Sequence, residues 1–85
     1  MGKKEKLYRK VKESPTNLTY NELCSLAEMV DFEYRRSHGD HKIYKHPKLR
    51  EIMNFQPDKS DKSKAKMYQI NQLIDFIDEN KLVEG

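Results

Sequence analysis

The chain has 85 residues, enough for one small domain and too few for separate catalytic and binding units. A single cysteine excludes an internal disulfide and suits a reducing compartment, and no apolar run is long enough for a signal peptide or a membrane span. A soluble cytoplasmic protein with no membrane partner is therefore expected. The net charge of +3 is unevenly spread. Residues 1–12 carry six basic groups and one acid, and residues 75–84 carry four acids and one lysine. Residues 35–50 carry six basic groups (Arg35, Arg36, Lys42, Lys45, Lys48, Arg50) and one acid, Asp40. A basic middle of this kind suits a phosphate-rich partner, although an ordinary solvated surface can have the same composition.

Residues 1–17 read as a basic extension leading into one domain over 18–83. Within the extension, Leu7, Tyr8 and Val11 suggest a short strand or a helical turn, and Ser14 to Asn17 suggest a loop. A helix is expected from Tyr20 to Val30. Thr19 is its N-cap, Glu22 completes a capping box, and Leu18 and Leu23 take the positions of a hydrophobic staple. Leu23, Leu26, Ala27 and Val30 recur at helical spacing, and Cys24 at the edge of that stripe reads as a buried structural thiol.

From Phe32 the period changes to two. Phe32 and Tyr34 alternate with Glu33 and Arg35, which predicts a half-buried strand. Ser37 to Asp40 form the next turn, Lys42 to Lys45 a second strand, and Arg50 to Phe55 a third. Links this short favour an antiparallel meander. A last helix is expected to start between Asp61 and Lys64 and to bury Met67, Ile70, Leu73, Ile74 and Ile77. The fold class is thus α+β, an α-β-β-β-α order in two layers with both helices on one face of a three-stranded antiparallel sheet.

The segment with most chemistry is Gly39-Asp40-His41-Lys42-Ile43-Tyr44-Lys45-His46-Pro47. Gly39 and Asp40 support a turn, and His41 follows it. A histidine titrates near neutrality and moves protons in both directions. In RNA cleavage it can take the 2′-hydroxyl proton so that the oxygen attacks the adjacent phosphate. Arg35, Arg36, Lys42 and Lys45 can supply positive charge, and no metal or cofactor is needed. A plain hairpin histidine is the alternative. His46 falls on the opposite strand face by period-two counting, which suggests a turn-capping or packed role. His38, Asp40, His41 and His46 lie close in sequence but offer neither a helical histidine pair nor a cysteine pair, so no metal site is expected. Lys59, Lys62, Lys64 and Lys66 form a second basic group in the loop and first turns of the last helix, which reads either as a phosphate site at a helix N-terminus, with Lys62, Lys64 and Lys66 as its candidates, or as a loose solvated linker. Tyr44 is a candidate for stacking on a base or for the core, and it stands with His46 as a candidate auxiliary residue.

The run from Gly39 to Pro47 resembles the glycine-serine-histidine strand segment of HicA-type toxins, which continues with an aliphatic-aromatic pair, a basic residue and His-Pro. The order of the flanking helices matches as well, over roughly Thr19 to Lys81. The resemblance implies a fold like that of a double-stranded-RNA-binding domain and a ribosome-independent endoribonuclease that cuts messenger RNA. It further implies that His41 is catalytic, that a HicB-type antitoxin is the partner, and that the compartment is bacterial cytoplasm. Asp40 stands where that family has serine, and Asp31 where it has glycine. Lys64-Ala65-Lys66 also looks like the start of the last helix in true double-stranded-RNA-binding domains, which share the order of elements and lack a catalytic histidine. A non-catalytic RNA-binding domain and a small basic protein-interaction module are the alternative readings.

Overall fold

The computed structural model describes residues 2–83. Three helices and one sheet follow in the order α1 (Lys3–Glu13), a 3-10 turn (Pro15–Asn17), α2 (Tyr20–Met29), β1 (Glu33–His38), β2 (His41–Lys45), β3 (Ile52–Phe55) and α3 (Met67–Asn80). The sheet is an antiparallel meander with β2 in the middle. The expected α-β-β-β-α order is therefore present, with α1 added before it.

Helix α2 starts as its sequence dictates. The Thr19 hydroxyl accepts from the Glu22 backbone N–H at 3.1 Å, and the Glu22 carboxylate accepts from the Thr19 N–H at 3.0 Å. Two donors that the first turn would leave unpaired are satisfied reciprocally. Leu18 and Leu23, the staple positions, are both buried. The helix ends in a Schellman motif: Phe32 N–H donates to Ala27 O and Asp31 N–H to Glu28 O. Asp31 lies between them with φ +77°. That left-handed conformation is the one glycine adopts at no steric cost.

Period two partitions the sheet. Tyr44, Met53 and Phe55 are buried on the inner face, against Leu23, Leu26, Ala27, Ile70, Leu73 and Ile77 from α2 and α3. Directly paired residues share a face, so His38 with His41, Arg36 with Ile43, and Ile43 with Asn54 mark the outer face. Its members are exposed or half-buried, and Ile52 among them is 60% exposed. Both α2 and α3 thus pack on one face and leave the other open.

Four expectations are corrected. All six residues of β1 are exposed, Tyr34 included; the register of this strand with β2 slips between Tyr34 and Arg36, which breaks the alternation expected of it. β3 begins at Ile52 rather than Arg50. The loop from His46 to Glu51 turns through an Arg50 N–H to His46 O bond and needs Arg50 at φ +57°. α3 begins at Met67, beyond the Asp61–Lys64 window. Asp58 and Asp61 accept from the backbone N–H groups of Ser60 and Ser63, which holds that stretch in turns. Lys64 and Ala65 are extended and bridge to Thr19 and Pro57. Consequently Met67 is exposed and the buried stripe starts at Gln69, whose side chain accepts the Gln56 N–H at 2.9 Å.

The extension forms more than a helical turn. In α1, Val11 is buried, Lys10 pairs with Glu22 at 2.6 Å, and both Tyr8 and Lys12 bond to Asp78 on α3. Cys24 is buried, and burial pushes its thiol pKa up, which suits packing rather than nucleophilic chemistry. No helix of the described residues is long and apolar enough to cross a membrane.

Candidate active site

The β1–β2 connection is a two-residue hairpin, with His38 and His41 paired across Gly39 and Asp40. Gly39 has φ +64° and Asp40 is not left-handed, the pattern of a type II′ turn with glycine first. A Cβ on Gly39 would touch nothing within 4 Å, so the need for glycine is one of backbone conformation alone. From beneath, the Tyr20 hydroxyl donates to Phe55 O at 3.0 Å and reaches Asp40 O at 3.5 Å. The start of α2 thereby fixes the height of the turn against β3. Burial raises the Tyr20 pKa, so its hydroxyl stays a donor.

The turn delivers His41 to the outer face. Its Nδ1 lies 3.0 Å from Asn54 Oδ1 on β3. With the amide oxygen as acceptor, a neutral ring making this bond carries its proton on Nδ1. On the other side, Asp40 Oδ1 stands 3.7 Å from Nε2, an ion pair when the ring is protonated but too long for a hydrogen bond. Gln56 Nε2 reaches the same Asp40 oxygen at 3.4 Å, and Lys66 Nζ donates to Gln56 Oε1 at 2.7 Å. A polar chain thus runs from the start of α3 to the turn.

An open cleft of about 650 Å³ lies over this arrangement, lined by Arg36, Ser37, His38, His41, Ile43 and Asn54. Beside it along the sheet, Arg35, Lys45 and Arg50 gather with Glu33 and Pro47 around a second depression. The outer face therefore carries an imidazole pair at one end and a cluster of cations at the other.

The structure brings His41 and Arg36 to one cleft, with Gly39 and Asp40 in the turn next to His41, places Arg35 and Lys45 around a neighbouring depression, and links Lys66 to Asp40 through Gln56. Other expected residues fall elsewhere. Lys42 pairs with Phe55 on the inner side and lies over the Tyr20 ring, 5.6 Å from its centroid. Lys62 is exposed on the turn before α3, and Lys64 Nζ is bonded to Thr16 O at 3.2 Å. Tyr44 and His46, the auxiliary candidates, are both buried on the inner face and do not meet His41. The Tyr44 hydroxyl donates to Glu28 at 2.9 Å, and burial raises its pKa. His46 Nδ1 accepts from Leu49 N–H at 3.2 Å and so caps the loop after β2. Its ring meets Phe32 edge-on, 5.2 Å between centroids, and its Nε2 has no hydrogen-bond partner among the described residues.

Asn54, Gln56, Ser37 and His38 were absent from the expected site. Asn54 becomes visible only through the β2–β3 register, and Gln56 only through its bond to Asp40, although a polar residue between Met53 and Phe55 does signal an outward position. Among the described residues, no three histidine, cysteine or carboxylate side chains converge closely enough to hold a metal ion. No protein-family model matches the chain, and no curated protein or solved structure matches it significantly.

Proposed function

We propose that this protein is an endoribonuclease of the toxin class, cutting messenger RNA in the cytoplasm by metal-independent acid–base chemistry at His41. One observation carries the reading: the His41 imidazole, its Nδ1 3.0 Å from Asn54 Oδ1, lines a cleft on the uncovered face of the sheet. Nε2 accepts the proton of a ribose 2′-hydroxyl, whose oxygen attacks the adjacent phosphorus. The bond to the 5′-oxygen breaks, leaving a 2′,3′-cyclic phosphate and a 5′-hydroxyl end. Asp40, 3.7 Å from Nε2, offsets the imidazolium charge as it forms. Arg36 in the same cleft counters the charge gathering on the phosphate oxygens. Asp40 in place of serine thus has a use beside the base, although it adds negative charge near the phosphate. A HicB-type antitoxin is the proposed partner. By covering the outer face it would exclude RNA from His41.

A non-catalytic double-stranded-RNA-binding domain fits less well. That reading needs lysines projecting from the first turn of the last helix, and here Lys64 and Lys66 are turned back onto Thr16 and Gln56. The test is incubation of the purified protein with single-stranded RNA, followed by analysis of the new ends. Cyclic phosphate and 5′-hydroxyl ends are expected, with cleavage reduced by about a hundredfold or more in His41→Ala. Unchanged cleavage or unchanged growth inhibition by His41→Ala would remove the proposal. Duplex binding without cleavage, weakened by loss of Lys62, Lys64 or Lys66, would establish the binding domain instead.

A further inference from the structure

His38 is the one member of the cleft with proton-transfer chemistry that the mechanism above leaves unused. It is the direct strand partner of His41 across the two-residue turn, so the two side chains stand on the same face. Both line the same cleft, together with Arg36 two residues earlier on the same strand. Directly opposed strand residues hold their Cβ atoms about 5 Å apart, and two imidazoles rising from such a pair can flank a single phosphorus. The groups that face this pair are Arg36 on β1, Asp40 in the turn, and Asn54 on β3, with Lys66 reaching Asp40 only through Gln56. Asp40 is nearest to His41, and Asn54 is bonded to His41. His41 is thus bonded to Asn54 with Asp40 nearby, and His38 is exposed at the strand end.

We propose that His38 is the general acid of the reaction, protonating the 5′-oxygen as it leaves while His41 takes the 2′-hydroxyl proton. The inference rests on the ribonuclease reading of the same cleft. The step balances. The bond from O2′ to phosphorus forms and the bond from phosphorus to O5′ breaks. One proton moves from O2′ to His41 Nε2, and one moves from the His38 imidazolium to O5′. Cyclic phosphate and a 5′-alcohol result, and return of His38 and His41 to their starting forms needs only exchange with water.

The experiment compares two substrates at the linkage that the wild-type protein cleaves: ordinary RNA, and RNA with sulfur in place of the 5′-bridging oxygen. A thiolate departs without a proton, so the second substrate has no need of a general acid. His38→Ala is expected to slow ordinary RNA cleavage by about a hundredfold or more and to cut the sulfur substrate within a few-fold of wild type. Its rate on ordinary RNA also loses the fall at high pH that a protonated acid imposes. His41→Ala is expected to lose both substrates. Equal loss of both substrates by His38→Ala would make His38 structural and overturn the inference, as would normal cleavage of ordinary RNA by that variant. In either case the ribonuclease reading stands if His41→Ala is inactive. A wild-type protein that cleaves neither substrate overturns both. His38 lies outside the core, so far-ultraviolet circular dichroism of the variant is expected to match wild type.

Discussion

Asp31 ends α2 in a left-handed conformation, φ +77°, between the two bonds of the Schellman motif. A side chain there is strained, whereas glycine is relaxed. Asp31→Gly is expected to raise stability to urea by about 0.5–1 kcal/mol, and Asp31→Val to lower it by at least as much. A midpoint lowered by the glycine variant would count against the strain. At the cleft, Asn54→Ala removes the acceptor 3.0 Å from His41 Nδ1. On the proposed mechanism turnover is expected to fall by about ten- to a hundredfold with KM little changed, since misplacement of a reacting group costs on that scale. An effect confined to KM would place Asn54 in binding instead. The turn was legible in the sequence because glycine, a polar residue and histidine before an aliphatic-aromatic pair have one economical reading. The partners of His41 were not. They depend on a register set by the loop from His46 to Glu51, and nothing in that loop announces that Arg50 will be left-handed.

Elements were legible where short-range chemistry decided them. The capping box of α2 and the central place of β2 are examples, as are the buried residues of α3 from Ile70 onward. They were misread where a local contact competed with periodicity. The serine–aspartate turns at 58–63 delay α3 and turn two lysines away from a helix end. The length of α1 was hidden for a different reason. Its apolar content is small, and its place is fixed by Tyr8 and Lys12 bonding to Asp78 on α3. The hydrogen bond from Lys12, then that from Tyr8, holds the Asp78 carboxyl below its ordinary range. A carboxyl lowered in the folded state stabilises the fold at pH values above the unfolded value of about 3.9, and that contribution fades as pH falls through the folded value. The helix α1 is therefore expected to loosen below about pH 4, and the pH dependence to flatten in Asp78→Asn. With both side chains more than two-fifths exposed, a Lys12/Asp78 double-mutant cycle is expected to give only about 0.2–1 kcal/mol. Coupling above about 2 kcal/mol would show that the pair is effectively shielded from water.

At the scale of the whole molecule, the sheet divides the protein into a packed side and an open side. The open side carries Arg36 beside the histidines and Arg35, Lys45 and Arg50 around the neighbouring depression. The lysines near α3 are engaged with the protein's own acceptors or stand apart from the cleft. The salt dependence of single-strand binding reads this division directly, since each phosphate contact adds about 0.7 to the slope of log affinity against log salt. Arg36→Ala and Lys45→Ala, in a His41→Ala background that leaves the RNA intact, are each expected to reduce the slope by about that amount. Lys64→Ala is expected to leave it unchanged. A slope that responds only to Lys62 and Lys64 would move the RNA to the other side of the molecule.

The double tie of α1 to Asp78 also bears on the order of events during synthesis. Tyr8 and Lys12 are made early, and their shared acceptor lies 66 to 70 residues further along the chain. Lys10 finds Glu22 only 12 residues on. On the ribosome, the α1–α2 contact can therefore form while the sheet is still being made, whereas the second anchor waits for the last helix to emerge. An N-terminal segment held by one hand for most of its synthesis is open to proteases and chaperones for that interval. Stalled chains lacking α3 are expected to be cut within α1 by a limiting protease, and released chains to be spared.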